Sequence, residues 1–118
     1  MPLNDAILNV GVTAMQAQIT HLAIHTALPD AAGSNQSTAI RVATGWGAAA
    51  NGDFATLVNK VFTGGAPNGP ALYVGYWNGG TVGAGTYYGS QALVGDQVFS
   101  SAGEYTIPTF TLTGSAIG

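Results

Sequence analysis

Charge is scarce in this chain. Two basic residues, Arg41 and Lys60, and five acids make up 6% of its 118 residues, where an ordinary soluble domain carries about a quarter. Two isolated cations cannot displace enough counterions to hold a phosphate backbone, so nucleic-acid binding is excluded as an expectation. Cysteine is absent, which removes disulfides and thiolate metal sites. No apolar run reaches the ~18–20 residues a membrane span needs. Met1 to Asp5 has no basic stretch leading into an apolar one and is not read as a signal peptide. The 18 glycines follow no triplet period, so a collagen-like rod is excluded too.

A surface left with Gly, Ala, Thr, Ser and Asn is poorly protected against association. The expectation is that part of it is covered, in an oligomer or a larger assembly. The 47% of hydrophobic residues is enough for a real core and argues against disorder. The length suits one domain, 1–118, with a helix over 4–19 and a β domain over 20–113.

Asn4 can cap the helix and Asp5 suits its N-terminal dipole. Leu8, Val12, Met15 and Ile19 recur at helical spacing, widened by Ile7 and Ala14. From Thr20 the period becomes two. Leu22 and Ile24 oppose His21, Ala23 and His25, which reads as a strand ending near Thr26. Leu28-Pro29-Asp30 begins a turn. Further strands fit Ser37 to Thr44, Phe54 to Phe62, Ala71 to Trp77, Thr86 to Leu93, Gln97 to Ser100 and Glu104 to Leu112. In the first of these Ile40 and Val42 share a face, with Arg41 opposite. Turns fall at Asn51-Gly52-Asp53, Gly64 to Pro70, Asn78-Gly79-Gly80 and Ser101-Ala102-Gly103. Pro108 makes the last strand an edge or a bulged strand. One helix followed by six to eight short strands predicts a mainly β fold, an antiparallel sandwich or barrel.

No catalytic constellation emerges. His21 and His25 on one strand stand ~13 Å apart, too far to share a zinc, so no metal site is assigned. No Gly-x-Ser-x-Gly elbow is present. The acids are scattered and suit turn caps. Gly79-Gly80 and Gly83-x-Gly85 lack the lysine and the strand–turn–helix setting of a phosphate loop. No cofactor is expected. Trp46, Tyr73, Tyr76, Trp77, Tyr87 and Tyr88 fit core or interface anchors better than a sugar platform.

Several motifs in order carry a resemblance. They are Leu3-Asn4-Asp5-Ala6, His21-Leu22-Ala23-Ile24-His25-Thr26-Ala27-Leu28-Pro29, Arg41 ahead of Trp46-Gly47-Ala48-Ala49, Phe62 before the Pro-Gly loop, Val74-Gly75-Tyr76-Trp77-Asn78, the Thr86–Gly89 region, and Phe99-Ser100-Ser101-Ala102-Gly103-Glu104-Tyr105-Thr106. Over nearly its whole length the chain resembles a family of small virion proteins of tailed phages, common in phages of actinobacteria, of the tail-fibre, minor-tail or head decoration type. Gly64 to Pro70 and Gly79 to Gly85 depart from the family pattern, so binding specificity does not carry over.

The resemblance implies a structural role on the virion, on the outer surface of the head or on the tail, without catalysis. The leading expectation is a capsid decoration protein, a homotrimer by analogy with that class, which cements the major capsid protein through non-covalent contacts. The alternative is a tail-fibre or tail-tip component that joins tail proteins and touches a host glycan. A small wall hydrolase is the third reading. Assembly contacts are expected at Leu3, Ile7, Leu8, Met15, Arg41 and Lys60, with Trp46, Tyr73, Tyr76 and Trp77 as aromatic anchors.

Overall fold

The computed structural model describes residues 5–46 and 57–110. Helix α1 (Asp5–Gln18) comes first, one residue inside the predicted bounds at each end. Its apolar stripe turns inward: Val12 and Ile19 are buried and Met15 packs against the same core. The carbonyls at its C-terminal end are met by side chains. Thr44 Oγ1 and Trp46 Nε1 donate to Ile19 O at 3.0 and 2.8 Å, and Asn78 Nδ2 donates to Gln18 O at 3.0 Å. Helix ends need such partners for their orphan acceptors, and here those partners anchor α1 to the sheet.

Six strands follow among the described residues: β1 (His21–His25), β2 (Val42–Ala43), β3 (Leu57–Phe62), β4 (Tyr73–Asn78), β5 (Thr86–Ala92) and β6 (Tyr105–Phe110). All pairings are antiparallel. One sheet has the order β2-β1-β4-β5, and β3 pairs with β6 in a second. No ladder joins the two sheets among the described residues. The fold is therefore mainly β and open, and the barrel alternative is corrected: the second sheet stays a separate layer.

The register explains the core. Leu22 pairs with Tyr76 and Ile24 with Val74, so their side chains share one face of the four-stranded sheet. They meet Phe62, Tyr105 and Ile107 from the other sheet, with Phe99, Leu93 and Val12, in one buried cluster. In β3 the neighbours Phe62 and Val61 take opposite faces: Phe62 is fully buried and Val61 is exposed. Pro108, which has no N–H to give, occupies a gap in the β3–β6 ladder between the pairs Lys60↔Ile107 and Val58↔Thr109.

Two predicted strands shrink. Of Ser37 to Thr44 only Val42–Ala43 is strand, because Arg41 turns inward and Ile40 turns out, its N–H donating to Thr63 O at 2.8 Å. Of Gln97 to Ser100 only Val98 bridges, to Pro70. The turn at Asn51-Gly52-Asp53, the start of the Phe54 strand and Leu3 lie outside the described residues.

Candidate functional site

The second face of the four-stranded sheet carries the side chains with most chemistry. His21, Ala23 and His25 alternate with Leu22 and Ile24, and His25 lies beside Tyr73 while His21 lies beside Trp77. Tyr87 sits opposite Trp77 on β5. A loop over residues 26–41 folds back across this face. Its course begins at the predicted turn. Asp30 Oδ1 accepts from the amides of Ala32 and Ser34 at 2.9 and 3.2 Å, and Gly33 N–H closes onto Asp30 O at 3.0 Å. Those amide bonds hold the Asp30 carboxyl below its usual pKa. The turn delivers Gly33 onto the aromatic rings. A methyl group there would stand 2.6 Å from Trp77 Cζ2 and 2.7 Å from Tyr87 Cγ, and the backbone φ of +81° favours glycine independently.

The next carbonyl, Ser34 O, accepts from His25 Nδ1 at 2.8 Å. A carbonyl cannot donate, so the proton sits on Nδ1. The bare Nε2 then accepts from Trp77 Nε1 at 3.2 Å. The two rings are within 7° of parallel with centroids 6.0 Å apart. Tyr87 closes against both rings, at 5.9 and 5.4 Å between centroids. Burial pushes the His25 pKa below its ordinary value of 6.5. The Arg41 charge pushes the same way, and the bond to Ser34 opposes both. His25 is thus a neutral, fully engaged histidine with no lone pair left for a metal or a substrate proton.

Arg41 completes the cluster. Its guanidinium carbon lies 3.9 Å from the Trp77 ring centroid, Nε donates to Gln36 Oε1 at 2.7 Å, and Nη1 donates to Gly79 O at 2.9 Å. Only 5% of the residue is exposed. Among the described residues no carboxylate pairs with it. The indole face and two neutral acceptors hold the charge in their place.

The expected contact residues separate under this geometry. Arg41 lies buried inside the polar cluster, and Met15 is half-buried with part of its side chain packed on the chain's own core. Lys60 stays half-buried and its Nζ donates to Ala43 O at 3.1 Å, which joins β3 to β2. The side chains of Ile7 and Leu8 lie outside those described. Of the aromatic anchors, Tyr76 and Trp77 are buried on opposite faces of the sheet, Trp46 is half-buried at the end of α1, and Tyr73 is half-buried. They form no shared surface for stacking a sugar.

A cleft of about 420 Å³ opens between α1 and the Thr44–Trp46 segment, lined by Thr13, Gln16, Ala17, Thr20 and Thr44 among others. It offers hydroxyls and an amide but no ionisable side chain. No group of three His, Cys, Asp or Glu able to hold a metal occurs among the described residues, and no helix there is long and apolar enough to cross a membrane. Sequence reading missed Tyr87, Gly33 and Gln36 as members of the cluster. Only the Asp30 turn signalled the loop that assembles it. No family model, no curated protein and no solved structure matches the chain.

Proposed function

We propose that the chain is a structural protein of a phage virion that decorates the head and cements it by uncharged, non-covalent contacts. The observation that carries this reading is the character of the surface. With Arg41 buried, Lys60 is the one basic side chain left near solvent among the described residues. Val10, Leu28, Ile40, Val94 and Val98 are each more than half exposed, Val94 at 92%. Such a surface gains by being covered, and the resemblance to small virion proteins suggests the setting. Binding that favours the folded, assembled state stabilises a shell by mass action. The role is structural: His25 and Trp77 spend their ring nitrogens on each other and on Ser34 O inside the chain. Burial of Tyr76 and Trp77 favours the head over a glycan-reading tail tip, since the aromatic strand presents no platform.

Immunogold labelling of the phage particles with an antibody to the purified chain tests this. Gold over the head supports decoration. Gold confined to the tail transfers the chain to the tail assembly, and unlabelled particles overturn the virion role. Heads stripped of the protein should lose thermal and osmotic resistance and regain it when the protein is added back.

A further inference from the structure

The sheet edges are unequally defended. β2 has two residues, β3 carries Lys60 and β6 carries Pro108, which are the usual means of discouraging edge pairing. β5 has seven residues with no charge and no proline, and among the described residues it pairs only with β4. From Val61 to Gly95 the chain contains no Asp, Glu, Lys, Arg or His at all. Exposed Val82, Tyr88 and Val94 flank or sit on the strand. Its one irregularity is a bulge where Tyr76↔Gly89 gives way to Trp77↔Tyr87. That leaves Tyr88 unpaired and Gly89–Ala92 in regular register.

The direction of the free groups follows from the ladder. Leu93 N–H donates to Leu72 O at 2.8 Å, so Leu93 faces β4. Antiparallel ladders alternate, so the backbone groups of Gln91 also face β4 while those of Ala92 and Ser90 point away from the sheet.

We propose that β5 pairs antiparallel with β5 of a second copy of this chain, with Ser90 facing Ser90 across a two-fold axis, so that the sheet continues through both copies. Ser90 is the middle residue of Tyr88–Ala92, and an axis there sets each Tyr88 beside the small Ala92 of the other copy. The uncharged edge brings no like charges together, which self-pairing requires. This inference stands apart from the head or tail assignment.

Sedimentation of the purified chain at tens of micromolar should show a dimer. Ser90→Pro removes an outward N–H and no bond to β4, and Ala92→Lys places a cation on each edge. Each should weaken self-association by at least about tenfold with an unchanged circular dichroism spectrum. Should the proline variant fail to fold, the lysine variant carries the test. Ser90→Cys supplies the only cysteine, and facing strand residues lie ~5.5 Å apart at Cα, so oxidation should yield a covalent dimer. A monomer at the highest soluble concentration, a dimer indifferent to both edge variants, a trimer, or a Ser90→Cys chain that stays uncrosslinked would each overturn the proposal.

Discussion

On one face of the four-stranded sheet, Leu22, Ile24, Val74 and Tyr76 join a core of aliphatic and aromatic side chains. On the other, His25, Trp77 and Arg41 are held by directional bonds, with Tyr87 packed against the His25 and Trp77 rings, and the loop over 26–41 caps them. The first face needs only volume and apolarity, for which many residues serve. The second needs a particular proton on a particular nitrogen and a glycine where a ring passes. Both are buried, but they will answer mutation differently: the apolar face by size removed, the polar face by atoms changed.

The largest loss is expected on the apolar face. Phe62 is fully buried at the centre of the core, and Phe62→Ala should cost about 3–5 kcal/mol in urea unfolding. The sharper test is between faces at smaller changes of volume. Trp77→Phe removes the donor to His25 Nε2 and weakens the contact with Arg41, and should cost about 2 kcal/mol. Ile24→Val should cost about 1 kcal/mol. Equal losses for the two would erase the distinction.

A third test uses pH. His25 has its pKa lowered in the folded chain, chiefly by burial, so below its ordinary value of 6.5 the unfolded chain binds the proton more readily. The stability it confers is complete above that value and declines as pH falls toward the lowered one. The melting temperature should drop between about pH 7 and about pH 5, and His25→Asn should flatten that part of the profile. An unchanged slope in the variant would remove His25 from the linkage. The smallest effect is reserved for Tyr76→Phe. Its hydroxyl donates to Gln91 Oε1 at 3.0 Å, and Gln91 is exposed, so water can take over and the loss should stay below about 1 kcal/mol.

The apolar face was legible in the sequence because periodicity encodes it. Alternation alone puts Leu22 and Ile24 on the face opposite His21, Ala23 and His25. The stripe Val12, Met15 and Ile19 was equally plain. The polar face escaped because its members come from loops and strands with no common period. Gln36, Gly33 and Ser34 meet β1, β4 and β5 only after the Asp30 turn has reversed the chain. Arg41 was the hardest to place. A lone cation with no acid nearby in sequence reads as exposed, and only the Trp77 face and two neutral oxygens make its burial tolerable. The same inward turn cut the predicted Ser37–Thr44 strand to two residues and left Ile40 outside.

The chain has two tryptophans, one for each side of this sheet. Trp46 packs beside the apolar core with its indole N–H on Ile19 O, whereas Trp77 lies in the polar cluster against His25 and Arg41. Replacing either one leaves a protein with a single tryptophan, whose emission can be excited apart from the five tyrosines. Emission from Trp77 alone will follow release of the loop over 26–41, and emission from Trp46 alone will follow detachment of α1. The order in which the two halves of the fold let go can therefore be read optically, without attaching a label.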